Sequence, residues 1–137
     1  MSRAVKTRVE LLLQELVAWA DHRPDVRAIV LIGSHVSGTA RPDSDVDLII
    51  LTENPDDLLR DTSWKNRFGA VVAGKLEYWG RVTSVRVWYE DLEAEFGIAR
   101  PDWASLPDEG TKTVLAAGFR VLVDRDDLFK RFRRGWA

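Results

Sequence analysis

The sequence contains no cysteine among its 137 residues. This absence excludes disulfide bridges, thiolate metal sites and cysteine nucleophiles, and it is compatible with the cytoplasmic location that we expect. Long apolar runs are absent as well. None approaches the roughly 20 residues needed to cross a bilayer, and residues 1–4 do not begin a signal peptide. We therefore expect no membrane segment.

The chain also lacks a strong charge of either sign, since its formal net charge is −2. No overall basic field favours nucleic acid, so we expect no nucleic-acid partner. Hydrophobic residues make up 45% and charged residues 31% of the sequence, which is typical of a folded protein. Because we find no internal repeat and no low-complexity linker, we predict a single domain over residues 1–137.

What the sequence does contain is a polar turn between two apolar runs. Residues 28–32 lead into Gly33 and Ser34, and Asp45 and Asp47 stand at the start of the second run. Side chains two apart on a strand share a face, so the two carboxylates should lie side by side and raise each other's pKa. A divalent cation would keep both ionised. The alternative is that the aspartates merely cap a loop between two strands.

The same turn offers groups that suit a phosphate. Gly33 has no Cβ, so a phosphate can come close to its backbone, and Ser34 supplies a hydroxyl and an N–H. Together with a metal, this combination suits a nucleoside triphosphate. Arg41 is a further candidate for the triphosphate. His35 could meet a phosphate or a leaving group, or it could be a loop residue without function.

Hydrophobic periodicity and turn residues predict an α/β protein with a mixed β-sheet. The predicted helices cover residues 4–21, 55–60, 64–68, 112–117 and 126–134, and the predicted strands cover 27–32, 45–51, 75–79, 81–89, 92–98 and 119–124, with a loop over 100–110. The first helix should cover one face of the sheet. The turn at residues 90–91 should join two strands into a hairpin.

Gly33-Ser34, ten further residues and Asp45-Val46-Asp47 resemble the signature of the DNA polymerase β-like nucleotidyltransferase superfamily. Within it, the chain is most similar to the small, stand-alone minimal nucleotidyltransferases. The resemblance implies the nucleotidyltransferase fold, a mixed sheet flanked by helices. It also implies Mg²⁺-dependent transfer of a nucleoside monophosphate, AMP from ATP, to a hydroxyl acceptor. Two Mg²⁺ ions held at the aspartate pair would stabilise both the attacking and the leaving oxygen.

The resemblance further implies a third carboxylate on a neighbouring strand, as a metal ligand or as the base that takes the acceptor proton. We choose Glu95, since apolar residues follow it as they follow Asp47, and we rank Glu93 second and Glu77 third. The family residue is usually aspartate, and a solvent-facing glutamate is the alternative. Arg86 could pair with Glu93 or Glu95 across the hairpin.

The acceptor is left open by the sequence. The chain is too short for the extra acceptor-binding domain of larger relatives, so the acceptor could be a partner protein or could bind at a homodimer interface. Resemblance to the minimal group suggests a toxin–antitoxin setting with a helical partner protein. Two other functions compete: a catalytically silent nucleotide- or partner-binding module, and an adenylyltransferase for aminoglycoside-like molecules. The last would need an acidic acceptor pocket, for which Asp108 and Glu109 are the candidates.

Overall fold

Six strands form one mixed β-sheet in the computed structural model, which describes residues 2–41 and 43–135, with side chains over 8–41 and 43–132. The strands are β1 (Val26–Ile32), β2 (Val46–Thr52), β3 (Val71–Trp79), β4 (Val82–Tyr89), β5 (Glu93–Ala99) and β6 (Phe119–Asp124). The helices are α1 (Ser2–Asp21), α2 (Ser34–Ser37), α3 (Pro55–Arg60), α4 (Asp102–Ser105), α5 (Glu109–Ala116) and α6 (Lys130–Gly135), with a 3-10 helix at Ser63–Phe68. The expected mixed sheet flanked by helices is confirmed.

The strands lie side by side in the order β3–β4–β5–β2–β1–β6. Every neighbouring pair is antiparallel except β2 and β5, which run parallel. The strands on either side of the acidic turn, β1 and β2, are therefore central in the sheet. β3 and β6 form its two edges.

Helices cover both faces of the central strands. On one face, α1 buries Leu12, Leu13 and Leu16 in a core that includes residues of β1, β2, β4 and β5, as the periodicity predicts. On the other face, Trp103 of α4 and Phe129 belong to a second core built on β1 and β2. Burial on both faces explains why these two strands are almost uninterrupted apolar runs. None of the helices in the described ranges has the length and apolarity needed to span a bilayer.

The hairpin of β4 and β5 is confirmed. The Tyr89 N–H donates to the Leu92 carbonyl at 2.8 Å, which closes a two-residue turn at Glu90 and Asp91. Since β5 then returns beside β2, the hairpin carries its glutamates to the strand that contains Asp47.

Several predicted boundaries are wrong, including that of α5, which begins at Glu109 rather than at residue 112. β3 begins at Val71 rather than at residue 75, because an edge strand need not show the alternating burial on which the prediction depends. Helix α4 lies within the predicted loop 100–110, where Trp103 is buried. The last helix begins at Lys130, not at 126: the Asp124 carboxylate accepts from the amides of Leu128 and Phe129 at 2.8 and 3.0 Å, which forms a capped turn first.

Candidate active site

Three carboxylates meet where β2 and β5 run side by side. Asp47 on β2 lies opposite Glu95 on β5, and Asp45 comes just before β2. One oxygen from each of these three side chains lies within 4.8 Å of the other two. The structure thus brings together the three carboxylates that the sequence singled out. Their catalytic roles stay a prediction.

All three side chains are partly buried, and Asp47 has an oxygen atom without a hydrogen-bond partner in the described part of the chain. Its Oδ1 is buried and has no hydrogen-bond partner among the described residues. Burial and then the negative charge of Asp45, followed by that of Glu95, raise the pKa of Asp47 to about 8. A carboxyl in this setting keeps its proton at neutral pH unless a cation joins it.

The turn after β1 places Gly33 against Asp47. The φ of Gly33 is +82°, and a Cβ built at this position would lie 2.6 Å from Asp47 Oδ2. Both the backbone conformation and the available space therefore require glycine. Ser34 is the first residue of α2, so its N–H has no acceptor within the helix.

The other two candidates in this turn differ in their surroundings. Arg41 is exposed, and its guanidinium makes no ion pair within the described part of the chain, so it is available to an anion. His35 is half-buried, and its Nε2 lies 3.4 Å from the Ser44 carbonyl. The Ser44 Oγ also accepts from the Arg41 N–H at 2.8 Å. His35 thus contacts the far side of the turn.

Arg86 on β4 connects three carboxylates around this site. It donates to Glu93 Oε2 at 2.8 Å, to Glu77 Oε1 at 3.2 Å and to Asp45 Oδ2 at 3.4 Å. The hydrogen bond with Glu93 is the main cause of the raised pKa of Arg86. The predicted pair of Arg86 with Glu93 is present, whereas its contacts with Glu77 and Asp45 were missed by sequence reasoning.

These contacts separate the three candidate glutamates. Glu93 and Glu77 form ion pairs with Arg86, whereas Glu95 has none among the residues that the structure describes. Glu95 is therefore the glutamate left to join Asp45 and Asp47.

A cavity of about 500 Å³ borders Glu95 on the same face of the sheet. Its walls include the apolar side chains of Ile49, Val82 and Trp103 as well as the hydroxyl-bearing Ser84. This mixture of apolar surface and a few polar groups is typical of a small-molecule site.

The acidic patch at Asp108 and Glu109 has a structural use. Asp108 accepts from the Thr111 N–H at 2.8 Å at the start of α5 and lies 3.3 Å from Arg81 Nε. The hydrogen bond from Thr111 is the main cause of the lowered pKa of Asp108. Glu109 is exposed and pairs with Lys112 at 3.5 Å. Of these two residues, only Asp108 lines the cavity, so the predicted acidic acceptor pocket gains little support.

Known proteins resemble the chain in sequence and in fold. The family model described as "Polymerase beta, Nucleotidyltransferase" matches residues 14–77, a range that includes Gly33, Ser34, Asp45 and Asp47 but not Glu95. No curated protein sequence matches the chain significantly.

Solved structures share the fold. An aminoglycoside 6-adenyltransferase from Bacillus subtilis is 12% identical, with a TM-score of 0.53 over 69% of this chain and 35% of its own. Cid1, described as an RNA terminal uridylyl transferase, is 18% identical, with a TM-score of 0.51 over 72% and 31%. A Cid1 poly(U) polymerase structure with Mg and 3′-dATP bound is 20% identical, with a TM-score of 0.51 over 72% and 32%. The chain thus spans about a third of each of these proteins.

Proposed function

We propose that the chain is a polymerase β-like nucleotidyltransferase, as the family model over residues 14–77 supports, and that it transfers AMP from ATP to a hydroxyl acceptor in a Mg²⁺-dependent reaction. The observation that carries this proposal is the group of three carboxylates, Asp45, Asp47 and Glu95, within 4.8 Å of one another. The neighbouring turn at Gly33 and Ser34 supplies a place for phosphate beside them.

The carboxylates fit a Mg²⁺ site in their chemistry. Mg²⁺ prefers hard oxygen ligands and is commonly held by one or two carboxylates together with substrate phosphates. The buried Asp47 Oδ1 lacks a partner, and a bound cation would satisfy it and favour ionisation of Asp47. We propose Asp45, Asp47 and Glu95 as ligands of two Mg²⁺ ions. When bound, such ions stabilise the charge on the attacking and leaving oxygens.

The turn residues are our candidates for holding the triphosphate. Gly33 presents backbone without a side chain, and Ser34 presents an N–H at the start of α2 together with its hydroxyl. The exposed guanidinium of Arg41, which makes no ion pair among the described residues, can pair with phosphate oxygens as a fork of donors. These groups would orient the triphosphate with its α-phosphorus toward the acceptor.

In the proposed reaction, a bond forms between the acceptor oxygen and the α-phosphorus of ATP. The bond from the α-phosphorus to the oxygen bridging to the β-phosphorus breaks, and pyrophosphate leaves with the bonding electrons. The proton of the acceptor hydroxyl passes to Glu95, which has no competing ion pair among the described residues. The cavity that borders Glu95 is our candidate site for the acceptor group.

We propose a partner protein as the acceptor, with this chain acting as the neutralising member of a toxin–antitoxin-like pair. The chain matches about a third of an aminoglycoside adenyltransferase and of terminal uridylyl transferases, so the remaining two thirds of those proteins have no counterpart in the alignment. A partner protein would then place its acceptor group in the cavity beside Glu95 and supply the rest of the acceptor-binding surface itself. A small-molecule acceptor remains the competing function, supported by the cavity.

Labelled ATP tests the proposal. Protein and co-purified partners are incubated with Mg²⁺ and ATP labelled at either the α- or the γ-phosphorus. We expect label on an acceptor from α-labelled ATP only, and its loss with Asp47→Asn. Asp43→Asn is the matched control, because Asp43 is an exposed carboxylate in the same turn. Label from γ-labelled ATP would show a different reaction, and binding of ATP without any transfer would favour the silent binding module.

A further inference from the structure

The edge strand β3 exposes large apolar side chains. Val72 is 66% exposed, Tyr78 75% and Trp79 62%, and Leu76 is 38% exposed. β3 ends the sheet, and no strand of the described chain pairs with its outer side. A long apolar edge of this kind is a ready template for pairing with another strand.

The hydrogen bonds within the sheet show which backbone groups of β3 face outward. The N–H of Tyr89 on β4 donates toward β5 at 2.8 Å, and pairing groups alternate along an antiparallel strand. Odd-numbered residues of β4 therefore face β5, and even-numbered ones such as Ser84 face β3. Since Ser84 lies opposite Glu77, the odd-numbered residues of β3 face β4. Gly74, Leu76 and Tyr78 consequently direct their N–H and C=O groups to the open edge.

We propose that two copies of this chain pair through β3 as an antiparallel dimer, with Leu76 of one copy opposite Leu76 of the other. The regular part of β3 runs from Ala73 to Trp79, after a register shift between Val71 and Ala73. Leu76 is the midpoint of this segment. Pairing about Leu76 therefore uses all of the regular segment in both copies, as a two-fold symmetric interface requires.

The sequence of β3 is complementary to itself in this register. Lys75 lies opposite Glu77 of the second copy, and opposite charges across strands are stabilising. Gly74 lies opposite Tyr78, an aromatic that can cover the bare backbone of an edge glycine. Ala73 lies opposite Trp79. The two large aromatic side chains, Tyr78 and Trp79, thus each meet a small residue.

The two nearest symmetric registers are unfavourable. In an antiparallel pair, residues whose backbone groups face outward must pair with each other. A two-fold symmetric register that keeps this rule is centred on a residue, and the two neighbouring centres are Lys75 and Glu77. Centring on Lys75 places two lysines opposite each other, and centring on Glu77 places two glutamates opposite each other. Like charges directly opposite destabilise a strand pair, so charge selects Leu76 as the centre.

The dimer would join the two sheets into one and leave both acidic sites on the same side of it. Lys75 and Glu77 lie on the face that carries Arg86 and Glu95, since each points to the same side as its cross-strand neighbour. Lys75 of the second copy would therefore enter the surroundings of Glu77, the partner of Arg86. Five strand spacings separate β5 of one copy from β5 of the other, about 24 Å.

Sedimentation velocity over a concentration series is the first test. We expect wild-type chain to sediment as a dimer that dissociates on dilution. Leu76→Pro removes an outward N–H without touching the β4 ladder, and should raise the dimer dissociation constant on the order of tenfold or more. Leu106→Ser, which removes another exposed apolar side chain at 71% exposure, should leave it unchanged. A monomer throughout the series would overturn the proposal and would favour pairing of the β3 edge with a segment of another protein.

Cross-linking tests the register without relying on the proline variant. The chain has no cysteine, so Leu76→Cys introduces the only thiol. In the proposed dimer the two Cα atoms at position 76 lie about 5.5 Å apart, within disulfide range. We expect rapid oxidation of Leu76→Cys to a covalent dimer. Tyr78→Cys, at a position that is more exposed but offset by four residues from its copy, should stay uncross-linked. Equal cross-linking of the two variants, or cross-linking of Tyr78→Cys alone, would overturn the register.

Discussion

Gly33 and Asp47 lie so close together that the glycine has no room for a side chain, because a Cβ at position 33 would come within 2.6 Å of Asp47 Oδ2. The turn after β1 and the carboxylate group thus lie directly against each other. From the sequence alone, the small residue at position 33 was explained by the approach of a phosphate. The structure adds a second reason, which is the space taken by a proposed metal ligand.

Gly33→Ala should displace the Asp47 carboxylate and weaken Mg²⁺-dependent ATP binding. Gly38 is a matched control: its φ is also +82°, but no atom lies within 4 Å of a Cβ placed there. The two substitutions differ in backbone strain, because the ψ of Gly33 is −157°, a region that essentially only glycine adopts, whereas the ψ of Gly38 is 11°, in the left-handed helical region. Since only Gly33→Ala also disturbs Asp47, the quantity compared is the part of the ATP affinity that depends on Mg²⁺. Calorimetric titration of ATP with and without Mg²⁺ checks this. An equal loss of ATP affinity with and without Mg²⁺ in Gly33→Ala would assign the effect to backbone strain rather than to Asp47.

Glu95→Gln should lower turnover by something on the order of 10²–10⁴, the usual range for a positioned acid–base group, while ATP affinity changes far less. Glu93→Gln should have a much smaller effect and Glu77→Gln almost none, because both side chains pair with Arg86. Single-turnover transfer from α-labelled ATP measures all three variants. Full activity of Glu95→Gln would move the third carboxylate to one of the other two positions.

The stability of the metal-free protein should fall as the pH rises toward 8. The pKa of Asp47 is raised from 3.8 to about 8, so between these values the folded chain keeps a proton that the unfolded chain releases. Unfolding then releases protons, and stability decreases with pH until both states are ionised. Thermal melts in a chelator from about pH 5 to about pH 9 measure this slope. Asp47→Asn should flatten it, and so should added Mg²⁺. A wild-type slope unchanged by Asp47→Asn would assign the titration to another group.

Arg86→Gln should destabilise the fold by about 1–3 kcal/mol, because hydrogen bonds from a charged donor to carboxylates are among the stronger ones. Glu77, Glu93 and Asp45 would lose their shared cation. Arg60→Gln is the control. The ion pair between Arg60 and Asp57 is exposed and has a distance of 4.0 Å, so its loss should change the free energy of unfolding by no more than about 0.5 kcal/mol. Urea unfolding in the presence of a chelator measures the free energy of unfolding of the two variants and of the wild type. Equal stability of the two variants would mean that Arg86 contributes nothing through these contacts.

Local patterns were enough to predict the aspartate pair. Asp45 and Asp47 are two residues apart at the start of a buried strand, and the alternation of side chains along that strand follows from the sequence alone. The hairpin of β4 and β5 could also be predicted, because a polar two-residue turn lies between two segments of alternating polarity. That residues 1–137 form a single domain stays a prediction.

The contacts of Arg86 could not be predicted in full because they depend on three separate parts of the chain. Glu93 follows the β4–β5 turn, and its pairing with Arg86 is local in the hairpin. Glu77 requires the β3–β4 register, and Asp45 requires the position of the turn before β2. No short-range pattern links these residues. The separation of Glu95 from the other two glutamates is therefore a result of tertiary structure.

The place of β6 beside β1 has a consequence for synthesis on the ribosome. Ile32 pairs with Phe119, which emerges roughly 90 residues later, or about 5 to 18 s later at ordinary elongation rates. During that interval β1 can pair with β2, but its other side has no strand beside it. The nascent chain therefore passes through a stage with a hydrophobic strand open to other chains. Slower translation of the last third of the message would lengthen this stage, and with it the demand for chaperones.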